Sequence, residues 1–178
     1  MQVKTLREAL YDTYSVAAAS SPTALPTKIQ FFVTGKSSTK GVQLTNMNGD
    51  GYLPSPERMS VYNLPRLSFV GMIQADVEAI IKGYVARLVV NGAVLFTGPI
   101  ELCASGGGSN TLNGQNTIQA VVPLPEDLRI DIESMEKFEL QLITEGTAPT
   151  PTASGASTPG TGIFIHAMLD GVHTLPVG

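Results

Sequence analysis

The chain has 178 residues, 43% of them hydrophobic and only 15% charged, with 18 glycines and 12 prolines. That composition suits a single domain over 1–178 with its own core, and it carries too few charges and too many turn residues for a helical bundle. With 11 basic against 15 acidic side chains, a net charge of −4, one cysteine and two histidines, it lacks the cationic excess of a nucleic-acid binder, a partner for an intrachain disulfide and the donors of a multi-histidine metal site. The first residues, Met1 to Glu8, carry charges where a signal peptide needs an apolar run. The most apolar region, 79–104, is interrupted by Lys82, Arg87, Asn91 and Glu101, so neither an export signal nor a membrane span is expected.

In chain order, Thr5 to Glu8 fits a capping box ahead of a short helical turn, and Asp12 to Ala17 alternates like a strand; one turn followed by a strand is the expectation. After a turn at Pro22 to Pro26, Lys28 to Thr34 alternates Ile29, Phe31 and Val33 against Lys28, Gln30 and Phe32, the pattern of a half-buried strand. Residues 35–57 form a long Gly/Ser/Thr/Asn/Pro excursion with room for a short strand at Val42 to Thr45. Met59–Leu64, Arg66–Gln74, Ile80–Val90 and Ala93–Cys103 then read as strands. Asn91-Gly92 joins the last two, because these residues accept the positive φ that both central positions of a type I′ turn require.

A flexible loop at 106–114, a short strand at Thr117–Val122 and a rigid turn at Pro123–Asp127 follow. Ser134 to Thr144 alternates Phe138, Leu140 and Leu142 against Glu139 and Gln141, a strand with one wet face. Residues 144–162 are a Thr/Pro/Ser/Gly/Ala tract expected to be an exposed loop or arm, and a last strand runs from Gly162 to Leu169. About eight strands with no helical pattern between them imply antiparallel sheets. The expected fold is all-β, a single eight-stranded antiparallel jelly roll with long loops; an immunoglobulin-like sandwich is the rival, without that family's paired cysteines and tryptophan.

No catalytic pattern survives. Gly155 to Pro159 lacks the closing glycine of a nucleophile elbow, and Gly106-Gly-Gly-Ser109 is not followed by the Lys-Ser/Thr of a phosphate loop. Cys103 reads as a small buried hydrophobe. His166, on a terminal strand with Phe164 and Met168 on one face and Ile163, Ile165 and Ala167 on the other, reads as a structural or interface residue needing cover from a core or a neighbour. One constellation has metal-binding spacing: Asn46, Asn48, Asp50 and Glu57 stand at positions 1, 3, 5 and 12 of a calcium-loop template, with Gly51 at position 6. Against calcium stand an Asn in the first position and the stiffening Pro54 and Pro56, which leave ordinary turn chemistry as the other reading. Charge is uneven as well. Glu126 to Glu145 is acidic, and Lys28, Lys36 and Lys40 lie in a basic first forty residues, an asymmetry able to bring subunits into register or simply to form a solvated face.

Leu10-Tyr-Asp-Thr-Tyr-Ser-Val-Ala17, Lys28-Ile-Gln-Phe-Phe-Val33, Leu88-Val-Val-Asn-Gly-Ala-Val-Leu-Phe96 with Gly98-Pro99, and Gly162-Ile-Phe-Ile-His-Ala-Met-Leu-Asp-Gly171 together resemble the smaller major capsid protein of tailless, membrane-containing icosahedral phages of Thermus. The resemblance spans nearly the whole chain and rests on strand pattern rather than on a diagnostic motif. It implies an upright single jelly roll in a virion shell, synthesised in the host cytoplasm. Its implied partners are other copies of itself as a homodimer or higher oligomer, a larger companion capsid protein and an internal viral lipid membrane. It implies no cofactor, no catalytic residue and no direct nucleic-acid contact. The competing class is a carbohydrate- or receptor-binding jelly roll of a spike or fibre, using loop 35–57 or 106–114. A cupin-like enzyme comes third, disfavoured by the two histidines.

Overall fold

The structure is a computed structural model that describes residues 3–16, 23–37, 40–103, 122–151 and 163–176. Its elements in chain order are β1 (Val3–Val16), β2 (Lys28–Phe31), β3 (Arg58–Val61), β4 (Arg66–Val70), α1 (Gln74–Gly83), β5 (Val85–Val90), β6 (Ala93–Pro99), β7 (Ile130–Ile132), β8 (Phe138–Ile143) and β9 (Ile163–Pro176). Short 3-10 turns occupy Ile100–Leu102 and Glu126–Leu128. The strands form two antiparallel sheets, an all-β sandwich. In the larger, β1, β9, β3 and β7 lie in that order, and β4 also pairs with β9; in the smaller the order is β2, β8, β5, β6.

β9 is the spine of the larger sheet. Along one edge it pairs with all fourteen residues of β1, from Val3 opposite Pro176 to Val16 opposite Ile163. Along the other edge, β4 takes Phe164 to Met168 and β3 takes Gly171 to Thr174. Between these two contacts five steps along the chain, Val61 to Arg66, face three along β9, Gly171 to Met168, so β3 and β4 behave as one strand interrupted by a bulge. Ile163, Ile165, Ala167 and Leu169 point inward and are almost fully buried, whereas Phe164, His166 and Met168 are half-buried on the outer face. The inner faces of both sheets share one core, which includes Leu10, Ile29, Phe31, Met59, Leu67, Phe69, Leu88, Phe138, Leu140 and Leu142.

Several sequence expectations take a different form. Thr5 to Glu8 makes no helical turn: it is part of β1, because pairing with β9 satisfies those backbone groups. The strand at Lys28 stops at Phe31, since Phe32 adopts φ 67°. Reversing the backbone there turns Phe32 into the core beside Phe31, 5.7 Å from Phe138, and leaves Val33 exposed. Val42–Thr45 forms no strand; Thr45 makes an isolated bridge to Asp12. The segment expected as strand from Ile80 to Val90 begins instead in α1, where Val77 and Ile80 lie on one buried face, Glu78 pairs with Lys82 one turn on at 3.7 Å, and the buried Tyr84 follows the helix in extended conformation.

Ala93–Cys103 leaves the sheet at Pro99, and β7, which pairs only three residues with β3, is a strand the pattern did not disclose. The Asn91-Gly92 turn forms as expected, at φ 52° and 82°, between Val90 and Ala93. Of the expected Thr/Pro-rich arm, 144–151 lies along the body: Leu25 N–H donates to the Pro149 carbonyl at 2.9 Å and Pro151 is buried. The loop at 106–114, the strand at Thr117–Val122 up to its last residue, and 152–162 lie outside the described residues.

The tightest point of the sandwich is Gly171, where β9 passes from β4 to β3. A Cβ there would sit 2.1 Å from the Ser60 carbonyl oxygen and 2.8 Å from its carbon, both backbone atoms. Gly171→Ala is therefore expected to destabilise the fold by about 2 kcal/mol or more, whereas Gly41→Ala, with nothing within 4 Å, should stay within about 0.5 kcal/mol of the parent. Urea unfolding of the two variants checks this.

Candidate functional site

The calcium-type loop is built as a staple. Asn46 faces the open edge of β1: its Oδ1 accepts the Tyr11 N–H at 2.8 Å, its Nδ2 donates to the Ala9 carbonyl at 2.8 Å, and its own N–H reaches the Tyr11 carbonyl at 3.2 Å. One asparagine thus replaces the missing neighbour strand over two residues. Asp50 accepts the Gly35 N–H at 2.8 Å, Asn48 accepts from Lys36 Nζ at 3.2 Å, and Glu57 lies 3.3 Å from His173 Nε2. The four oxygen donors that share calcium-loop spacing are each engaged by a different protein partner. Among the described residues no group of three or more His, Cys, Asp or Glu side chains is placed to hold a metal ion. The turn-chemistry reading of 46–57 is the one the geometry favours.

Two buried polar clusters went unnoticed in the sequence. In the first, Asp12, 1% exposed on the inward face of β1, accepts the Phe32 N–H at 2.6 Å and lies 2.5 Å from Lys40 Nζ. It thereby holds the left-handed turn at Phe32 and the start of the 40–57 excursion on one carboxylate. Its parity with Leu10 along β1 was the available signal: a carboxylate on a core-facing position requires a buried donor. In the second, His173, 5% exposed, stands between two carboxylates, with Nδ1 3.3 Å from Glu8 Oε2 and Nε2 3.3 Å from Glu57 Oε2. The Glu8 contact has hydrogen-bond geometry, and the Glu57 contact has the distance without the alignment. These groups line a cavity of about 130 Å³ with Lys36, Asn46 and Asn48, room for a few waters. Among the described residues that line it there is no hydroxyl or thiol. The cluster ties the far end of β9 to β1 and to the segment entering β3.

Cys103 is buried, and burial pushes its thiol up to about 12, which keeps it a neutral, small apolar group. The basic residues put forward as inter-subunit partners are occupied within the chain. Lys40 is paired with Asp12, Lys28 Nζ lies 3.9 Å from Glu139, and Lys36 reaches Asn48. The acidic run is partly engaged as well: Glu133 meets Arg58 at 3.0 Å, Glu126 meets Arg129 at 3.4 Å, and Glu136 accepts the Glu133 N–H.

A cleft of about 400 Å³ opens at one end of the smaller sheet among Gln30, Asp50, Val89, Lys137 and Glu139. No helix among the described residues is long and apolar enough to cross a membrane. Comparison of the chain with models of protein families, with curated proteins and with solved structures finds no match.

His166 is a group whose titration the fold alters close to neutral pH. It sits on the outer face of β9, 2.8 Å from Thr13 Oγ1 and stacked 6.0 Å from Phe164, and desolvation lowers its pKa below 6.5. Above pH 6.5 the imidazole is neutral in both folded and unfolded chains. As pH falls below 6.5 the unfolded chain takes up the proton first, so stability drops until the folded imidazole protonates too. The melting temperature is expected to fall over that window, and His166→Gln should flatten this part of the pH profile; an unchanged profile in the variant would contradict the assignment.

Proposed function

We propose that the chain is a major coat subunit, a single jelly roll that self-associates and assembles with a larger companion capsid protein into an icosahedral virion shell over an internal membrane. The observation that carries the proposal is the strand order. Counting β3 and β4 as one interrupted strand gives eight. A four-rung hairpin of eight strands pairs first with eighth, second with seventh, third with sixth and fourth with fifth, and rolling it up yields sheets 1-8-3-6 and 2-7-4-5. The order β1-β9-β3-β7 over β2-β8-β5-β6 matches that scheme rung by rung.

The jelly roll is a frequent scaffold for shells, yet fold alone does not assign function. Support for a shell role comes also from the sequence resemblance. Apolar side chains add to it: Val85, Val94 and Leu95 stand exposed on the smaller sheet, and Leu128 and Met135 flank β7 in the larger. In this reading the protein is made in the host cytoplasm, resides in the virion and acts through surfaces, not through a catalytic centre.

A second reading, a carbohydrate- or receptor-binding module, is favoured by the polar cleft at Gln30, Asp50, Lys137 and Glu139. It lacks an aromatic platform, because the one ring in the lining, Phe138, is 2% exposed.

Sedimentation and electron microscopy of the purified chain test the proposal. Concentration-dependent oligomers, and sheets or shells on mixing with a larger jelly-roll coat protein, are the expected result. A strict monomer at high concentration that forms no shell with any such partner would contradict it.

A further inference from the structure

Among the described residues no strand lies beside the outer edges of β4, of β7 and of β1 over residues 3–8. These edges differ in charge. On β4 the one ionic side chain, Arg66, is bound to Asp170. β1 carries Arg7 and β7 carries Asp131, both exposed, and neither belongs to an ion pair among the described residues; Asp131 accepts only the Ser60 hydroxyl.

The register places these two residues in one row. Arg7 lies opposite Val172, Val172 opposite Ser60, and Ser60 opposite Asp131, so the row crosses the sheet from edge to edge with its side chains on the outer face. The adjacent row, Leu6, His173, Met59 and Ile132, points inward. A second copy set beside the first without rotation or shift continues both rows, bringing its Arg7 next to Asp131 and its Leu6 next to Ile132. Strand direction agrees. β1 runs antiparallel to β9, β9 to β3 and β3 to β7, so β7 of one copy and β1 of the next are antiparallel.

The backbone groups agree as well. Asn46 reaches the Ala9 carbonyl and the Tyr11 N–H and carbonyl from outside the sheet, so these odd-numbered residues turn their polar groups away from β9, and Arg7 follows the same alternation. Bonded and non-bonded pairs also alternate along a row of an antiparallel sheet, which turns the N–H and carbonyl of Asp131 away from β3. The open window is bounded on both strands. Asn46 occupies Ala9, while Glu136 accepts the Glu133 N–H at 3.1 Å and donates its own N–H to the Glu133 carbonyl at 3.2 Å. In the continued register Ala9 stands opposite Arg129 and Thr5 opposite Glu133, so pairing centres on Arg7 and Asp131.

We propose that copies of this chain join head to tail through these two edges, with Arg7 of one copy and Asp131 of the next exchanging two backbone hydrogen bonds and an ion pair. A two-fold contact at the same window fits less well, because it sets Arg7 against Arg7 or Asp131 against Asp131. Since the joined surfaces differ, the contact repeats into a ring or a chain instead of stopping at a dimer. The inference rests on the self-association in the coat-subunit reading and gives it a surface; it does not need the companion protein.

Sedimentation velocity of the full chain over a range of concentrations, with hydrogen exchange resolved by residue, tests the contact. The parent should form a concentration-dependent series extending beyond the dimer, and association should slow exchange of the Arg7 and Asp131 amides. Arg7→Glu and, separately, Asp131→Arg should each weaken association about tenfold or more while the melting temperature stays near the parent value. Glu101→Lys and Lys137→Glu reverse exposed charges away from both edges and should leave association near that of the parent. The decisive sample is an equimolar mixture of the two edge variants. Each keeps one edge that fits the other's, so mixing, or both reversals in one chain, should restore association. A two-fold contact through a single edge would instead be lost in only one of the two variants. A parent that stays monomeric at high concentration, association untouched by either reversal, or no recovery on mixing would overturn the inference. Shells formed with a larger coat protein by both edge variants as readily as by the parent would overturn it too, and would leave the coat-subunit reading in place. Association that follows the predicted pattern in a chain that builds no shell keeps the inference and removes that reading.

Discussion

Every strand of the larger sheet is bonded to β9 or to a strand that is, and the longest of those contacts joins β9 to β1 from the opposite end of the described chain. The pairing is fourteen residues long and joins two segments separated by the whole stretch 17–162. Closing so large a loop has an entropic cost, offset by many contacts made at once, which ties the order of the sandwich to a single non-local event. The smaller sheet follows from it. With β1 fixed on β9, the short β2 is delivered to β8, and the inward residues Leu10, Ile165, Ala167 and Leu169 present the floor on which Ile29, Phe31, Leu140 and Leu142 pack.

Polar contacts then fasten what the sheets leave loose. The excursion from Lys36 to Glu57 has no strand ladder of its own, yet Asp12, Asn46 and His173 hold its beginning, middle and end against β1 and β9. A buried carboxylate or imidazole carries a desolvation penalty that only close partners offset, and removing one partner leaves the other exposed to that penalty. Residues with the spacing of a metal loop therefore act here as fasteners. Asp12 and His173 sit inside the fold, while Val85, Val94, Leu95, Leu128 and Met135 stand exposed on its outside.

Much of this was legible in the amino-acid order. The inward parity of Ile29 and Phe31, of Phe138, Leu140 and Leu142, and of Ile163 and Ile165 is a period-two signal that burial confirms, and Asn91-Gly92 marks its hairpin by backbone preference alone. Other features were hidden for identifiable reasons. The apolar residues of α1 run straight into the β-branched start of β5, so two periods overlap between Val77 and Val90 and the β reading prevailed. The reversal at Phe32 is held by Asp12, twenty residues earlier, and no local window contains both. β7 is too short for alternation to register. The acidic and basic runs were visible, but not that Lys28 and Lys40 find carboxylates within their own chain, because those partners meet them only across the folded sandwich.

If closure of β1 on β9 organises the molecule, the amides of that pair should be the last to open. Native-state hydrogen exchange resolved by residue tests this directly. The account predicts that backbone amides of Leu10–Tyr14 and Ile165–Leu169 exchange at the slowest rate, together, and with the free energy of global unfolding. Exchange of β1 at the rate of the excursion loops, while β5 and β8 of the smaller sheet stay protected, would show that the smaller sheet stands alone and that the β1–β9 pairing is an addition to the fold, not its foundation.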